Sequence, residues 1–390
     1  MPFSCSLLRI LPPPRHTCHE LHDLHRPVLP GQSLIAFIAS TMRNSSQFIG
    51  RYFFLFALLL AALGSCVRND AIHRTQGHVF GTRVEISIYG ESEQRAAELS
   101  TKVLREFDRL HHKFHAWQPS ALTALNDAIA RGEPYEADAE MVDILKAATM
   151  LAESSDNLFN PAIGRLIRLW GFQSSEIKPQ SPDPAEIKRL VEANPRMTDL
   201  QFNGTTISSR NKIVMLDLGG YAKGYALDRA AQILRGEGVK AALINVGGNM
   251  LAIGQPGNRL WTVGIQDPRG EGSIAVVELR DNEAIGTSGD YQRYFMKDGK
   301  RRPHIIDPRT GESTDLVASV TIIVAGGNDA GTRSDGHSKP LFVAGPAHWR
   351  EMAERLGLKE VMLIDSNRNV EMTAAMRERL ASQQSGKSSH

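Results

Sequence analysis

The chain is short of cysteine: its 390 residues contain three, Cys5, Cys18 and Cys66, and none follows Cys66. Disulfide staples and thiolate chemistry are therefore excluded from everything downstream. At this length a core can form without staples. Charge of one sign is lacking too, with 45 basic against 43 acidic residues. No basic run interleaved with aromatics is present to track phosphates, so nucleic acid is not an expected partner. Long hydrophobic runs are missing as well. The single sustained one, within YFFLFALLLAALGSC up to Cys66, has about a dozen apolar residues, too few to span a bilayer stably.

That run has a context of its own. Arg43 and Arg51 supply a basic start, and Leu63-Gly64-Ser65-Cys66 resembles the lipobox of bacterial lipoproteins, whose cysteine is lipidated. The alternatives are a plain membrane anchor or a cleaved signal with an incidental cysteine. The lipoprotein reading makes residues 42–65 a signal peptide and Cys66 an anchor held on a membrane by more than one acyl chain. The preceding Pro- and His-rich segment, with His16, His19, His22 and His25, fits no signal peptide. Translation starting at Met42 accounts for it, with residues 1–41 as an upstream extension.

Beyond Cys66, periodicity predicts a strand over Thr82–Ile88 and helices over 91–114, 139–154, 184–192 and 222–234. Short strands are expected at Ile207–Ser208, Ile213–Leu216, Ala242–Val246, Leu251–Ile253, Trp261–Ile265 and Ile274–Leu279. The β-branched run Val317–Val324 is the clearest strand, followed by helical stretches over 335–345 and 347–356 and a last strand at Val361–Ile364. Residues 381–390 are polar and read as a disordered tail. With no regular βαβ rhythm, the expected class is α/β in its mixed α+β form, two-lobed over residues 66–380.

Several stretches could carry chemistry. Gly219-Gly220-Tyr221-Ala222-Lys223-Gly224 follows Asp217 and opens a helix, where backbone N–H groups and a lysine suit a phosphate; a tight structural turn is the alternative. Gly247-Gly248 suits a close backbone approach or a β-bulge. Thr287, Ser288 and Tyr291, in IGTSGDY, suit a flavin ring, a ribityl chain or a phosphate, or simply a hairpin. His304, before the turn IIDPRTG, can be a base or a structural hydrogen-bonder. Asp335 can hold a hard cation or cap a helix.

Taken in order, DLGGYAKGYALD, INVGGN, TSGDYQRYF and HIIDPRTG resemble the FAD:protein FMN transferases, the ApbE-like flavin transferases. The looser LFNPAIGRLIRLWGF adds to this, and the resemblance runs from Phe80 to about Gly345. It implies a two-lobed fold with FAD in the cleft, Mg²⁺ on its diphosphate, and transfer of FMN to Thr or Ser of a membrane-associated redox protein, releasing AMP. His304 would then be the base, and Lys223 and Asp217 would contact FAD. Phe80 and Trp117 would lie against the flavin, with Leu158, Phe159 and Asn160 at the adenosine end. Gly220 and Asp335 would serve the metal, with Ser338 able to reach it. The resemblance also implies a lipoprotein of the inner membrane facing the periplasm. An FAD-binding lipoprotein without catalysis and an FAD pyrophosphatase are the alternative functions. Departures from the pattern are Asn160 for Asp, Ala162 for Thr, Ala121 for an acidic residue, and Lys339 where Thr is usual four residues after Asp335.

Overall fold

The computed structural model describes residues 71–387, so Met42, the apolar run and Cys66 lie outside the described residues. The described chain opens with a hairpin, β1 (Ile72–Val79) and β2 (Thr82–Tyr89). Its two-residue turn holds Phe80 at φ 56° and Gly81 at φ 67°, the left-handed pair that matches strand twist. Helices α1 (Glu93–Lys113) and α2 (Ala121–Arg131), strand β3 (Tyr135–Glu136), and helices α3 (Ala139–Ser154), α4 (Gly164–Leu169) and α5 (Pro184–Glu192) follow. Then come β4 (Leu200–Asn203), β5 (Thr206–Ser209) and α6 (Ala222–Gly236). The strand-rich stretch comprises β6 (Ala241–Val246), β7 (Asn249–Ile253), β8 (Trp261–Gln266), β9 (Ser273–Leu279), β10 (Glu283–Gly289), β11 (Tyr294–Lys297), β12 (Lys300–Pro303) and β13 (Val317–Ala325). The chain closes with α7 (Ala330–Arg355), β14 (Glu360–Asp365), β15 (Val370–Met372) and α8 (Ala374–Lys387).

Eight strands form one sheet in the order β1-β2-β6-β7-β10-β13-β14-β15, every pairing antiparallel. This is the mixed α+β class that the missing βαβ rhythm predicts. Alternation along the strands assigns the two faces. Ile244, Val246, Leu251 and Ala284 join a core with residues of α1, α3 and α6, and Val320, Ile322, Val361 and Leu363 join a second core with residues of α7. Their odd neighbours, Ala241, Ala252, Ile285, Ile323 and Met362, pack on the opposite face with Trp261, Val263 and Val277 of the β8–β9 hairpin and Met376 of α8.

Two expectations are corrected. Ile213–Leu216 is not a strand; apart from an isolated bridge of Ile163 with Met215, its end is held by a side chain. The Asn126 amide donates to the Leu216 carbonyl (2.9 Å) and accepts from its N–H (2.7 Å), doing the work of a neighbouring strand. The expected helical stretches 335–345 and 347–356 are borne out: α7 consists of two helices that meet at a kink, where Gly345 takes φ 73°. Helix α8 runs through Lys387, inside the segment expected to be a disordered tail. Buried Arg379 anchors it on Glu283, Glu360 (2.7 Å) and the Glu278 carbonyl (2.6 Å), a tie that local composition does not reveal.

Helices α6 and α7 cross at two glycines. A Cβ on Gly224 would lie 2.3 Å from the Gly331 carbonyl oxygen, and one on Gly331 would lie 2.6 Å from the Gly224 carbonyl oxygen. Gly236, at the other end of α6, has no neighbour within 4 Å. Gly224→Ala is therefore expected to destabilise by about 1–3 kcal/mol through overpacking, whereas Gly236→Ala should be neutral or stabilising by up to ~1 kcal/mol. Urea midpoints of the two variants check this; equal midpoints would contradict the close crossing.

Candidate functional site

Neither of the crossing helices is capped by its own N-cap residue. Tyr221 before α6 and Asp329 before α7 make no side-chain cap hydrogen bond. Each cap comes from the other helix. Asp228 on α6 accepts from the Gly331 N–H (2.7 Å), the Thr332 N–H (2.7 Å) and the Thr332 hydroxyl (2.6 Å) at the start of α7. Asp335 on α7 accepts from the Gly224 N–H (2.9 Å) at the start of α6. Both carboxylates thereby face the positive end of a helix dipole.

Asp335 is wholly buried, and its second carboxylate oxygen pairs with the ammonium of Lys339, one turn along α7. The same ammonium donates to the Asp335 carbonyl at 2.8 Å. Burial alone would push the Asp335 carboxyl up; the charges of Lys339 and Lys223, with the Lys339 and Gly224 hydrogen bonds, hold it below the usual carboxylate range. Burial pushes the Lys339 ammonium down, against the attraction of Asp335. On its other side the Lys339 stem lies along Gly220, where a Cβ would sit 3.4 Å from the lysine Cε. Ser338 is fully buried: its hydroxyl donates to the Asp335 carbonyl (2.8 Å) and meets the Ser288 hydroxyl at 2.7 Å. Thr287, next on β10, pairs with Thr321 of β13 at 2.9 Å.

His304 follows β12 and is partly buried, with Phe172 edge-on at 6.3 Å. Its Nδ1 lies 3.1 Å from the Arg293 carbonyl. A carbonyl only accepts, so Nδ1 carries the proton and Nε2 is left with a free lone pair. Burial first, and then the charges of Arg293, Lys223 and Lys339, push the imidazole down to about 3. A neutral histidine beside three cations has the form a proton acceptor needs. Arg293 itself donates to the carbonyls of Phe172 (2.7 Å) and Ser174 (3.0 Å) and lies 5.8 Å from the Trp117 ring, which is 38% exposed. Asp217 accepts from the Gly219 N–H (2.8 Å) and from Gln173 (2.9 Å), and its charge acts on Arg293.

Lys223, Gly220, Asp335, Ser338, Ser288 and His304 thus belong to one network of contacts and charges, and Asp217 and Trp117 join it through Arg293. Other predicted residues stand apart from it. Phe80 packs on Phe107 (6.1 Å) and His111 (5.6 Å). Leu158 and Phe159 are buried, Phe159 lying 5.6 Å from Tyr221. The Asn160 side chain is engaged within its own turn, donating to the Pro195 carbonyl (2.8 Å) and accepting from the Ala162 N–H (3.0 Å). Tyr291 is partly buried against Gly289, and burial followed by the Asp290 charge pushes its phenol up to about 12. Sequence reasoning missed the contributions of Asp228, Arg293 and Gln173. It also missed the Asp335–Lys339 pair, although an acid four residues before a base on a helix signals such a pair.

The residues present do not fit Mg²⁺. Among the described residues no group of three or more His, Cys, Asp or Glu is placed to hold a metal. Both Asp335 carboxylate oxygens already have partners, Gly224 N–H and the Lys339 ammonium.

The histidine carries a pH signature. Its folded-state value lies below the ordinary 6.5, so the unfolded chain binds the extra proton between the two values. Its contribution to stability is present in full above pH 6.5 and is lost as pH falls toward 3. An NMR titration of the His304 ring should show no inflection between pH 8 and 5, and a midpoint near 6.5 would contradict the arrangement.

A sequence model of the ApbE family matches residues 80–363. The chain is 38% identical over 309 residues to the FAD:protein FMN transferase of Rhodobacter capsulatus, covering 79% of this chain and 58% of that longer protein. It is 33% identical to the FAD:protein FMN transferase of Treponema pallidum, covering 74% of this chain and 83% of the relative. Among solved structures, the ApbE protein of Thermotoga maritima superposes with a TM-score of 0.73 at 31% identity, covering 80% of this chain and 99% of that one. The flavin transferase ApbE of Vibrio cholerae gives 0.68 at 25% identity, covering 80% of this chain and all of that one. The chain belongs to the ApbE family.

Proposed function

We propose that this chain is a flavin transferase that moves FMN from FAD onto a hydroxyl of an acceptor protein. The observation that carries this reading is the neutral His304, its Nε2 free, set among the charges of Lys223, Lys339 and Arg293. In the transfer, the acceptor oxygen attacks the FMN phosphorus, the P–O–P bond to the adenylate half breaks, and AMP leaves. The hydroxyl proton passes to His304 Nε2. Such chemistry depends on positioning and on neutralising phosphate charge, for which Lys223 supplies the charge and the Asp335-paired Lys339 a directed hydrogen bond. Trp117, with its exposed ring, suits stacking on a flat heterocycle.

The acceptor is read as a membrane-associated redox protein presenting Thr or Ser. The short apolar run and Leu63-Gly64-Ser65-Cys66 support a lipid anchor on Cys66 that would hold the enzyme on the inner membrane, facing the periplasm. No helix among the described residues is long and apolar enough to cross a membrane. Cys66→Ser should move the protein from the membrane fraction to the soluble fraction; unchanged fractionation would sink the anchor.

The test of function is incubation with FAD and an acceptor carrying the Thr/Ser motif, followed by mass spectrometry of the acceptor and chromatography of the nucleotides. The expected result is a covalent flavin on the acceptor hydroxyl with one AMP released per flavin. His304→Ala should lower the rate by about 10²–10⁴-fold with FAD still bound. Free FMN and AMP without labelled acceptor would mean hydrolysis instead, and intact bound FAD would mean a flavin carrier.

A further inference from the structure

We propose that Lys339 is a tethered cation that takes the place of a divalent metal in this site, so that FAD is bound without Mg²⁺. This rests on the flavin-transfer reading. The two residues that the family pattern gives to the metal, Gly220 and Asp335, both face the Lys339 side chain. Its stem lies along Gly220, and its ammonium holds both the carboxylate and the carbonyl of Asp335. The Asp335 side chain has no exposure while that of Lys339 keeps 14%, so the lysine separates the carboxylate from solvent. The remaining oxygen donor, Ser338, is fully buried and engaged with Asp335 and Ser288. A metal entering here would have to displace an ammonium already seated on a buried carboxylate and turn it into the site as a second, competing cation.

The ammonium is also suited to the task. It has three N–H donors, of which two are directed at Asp335. The third is left for a phosphate oxygen. Lys223 acts on the same group, since its charge is felt at Asp335, Lys339 and His304. The pair of Lys339 and Asp335 is neutral as a unit, so the lysine supplies a directed hydrogen bond while Lys223 supplies the uncompensated charge. A divalent ion on one aspartate would carry a net positive charge itself. Cation chemistry in this site is therefore built into α7 at a position where the family pattern has a hydroxyl.

Two measurements on the full chain in detergent test this. Mn²⁺ binding is followed by electron paramagnetic resonance with and without FAD, and FAD affinity is followed by flavin fluorescence in EDTA and in Mg²⁺. The expected result is no stoichiometric Mn²⁺ and an FAD affinity that is the same within about twofold in both media. Lys339→Thr should lose at least ~10-fold in FAD affinity in EDTA, about 1.4 kcal/mol, and regain it with Mg²⁺. One bound Mn²⁺ per wild-type chain overturns the proposal. So does wild-type affinity that collapses in EDTA and returns with Mg²⁺, or a Lys339→Thr affinity equal to wild type in EDTA. A chain that binds no FAD in either medium overturns the transfer reading instead, and its Mn²⁺ stoichiometry still decides the metal question.

Discussion

The exchange of carboxylates between α6 and α7 is the constraint on which the site depends. Asp228 on α6 closes the N-terminus of α7, and Asp335 on α7 closes that of α6. Both acids are buried, so each N–H partner replaces water that the carboxylate has lost. The exchange requires backbone contact, and Gly224 and Gly331 permit it because any side chain at either would meet the other helix. Gly286 does the same for β10, where a Cβ would lie 2.2 Å from the Ser334 carbonyl oxygen. Two helices and one strand are thereby locked where Lys223, Lys339, Ser288 and Ser338 project.

Electrostatics follows from that lock. The buried Asp335 must be neutralised, and the Gly224 N–H and the Lys339 ammonium do it locally. What remains uncompensated is cationic: Lys223, and Arg293 behind His304. A region of this kind attracts a diphosphate and keeps an adjacent imidazole neutral, so anion binding and an unprotonated histidine are consequences of one charge arrangement.

The fold class and most element positions were legible, because periodicity separates α3, α5 and α6 from the β-branched run of β13. Strand β1 was not, since its polar alternation at a sheet edge looks like loop. The C-terminal helix was hidden for a related reason: its order comes from Arg379 and Gln383 reaching β9 and β10, not from its own composition. In the site, Lys223, His304 and Asp335 were found, but their physical reasons shifted. Gly224, read as a phosphate cradle, serves helix crossing. Asp335, read as a metal ligand or the cap of its own helix, caps the neighbouring one. Lys339 stood out as a departure from pattern, but its contacts with Gly220 and Asp335 became visible only in three dimensions. Arg293 could not be seen, because backbone carbonyls of Phe172 and Ser174 position it from far along the chain.

A crystal structure of the FAD complex grown in EDTA tests the central claim most directly. The α6–α7 lock predicts diphosphate oxygens within hydrogen-bonding distance of Lys223 and Lys339, with His304 Nε2 turned toward the FMN phosphorus. A diphosphate bound elsewhere, or an Asp335 released from Gly224 and Lys339 to face a metal, would contradict it.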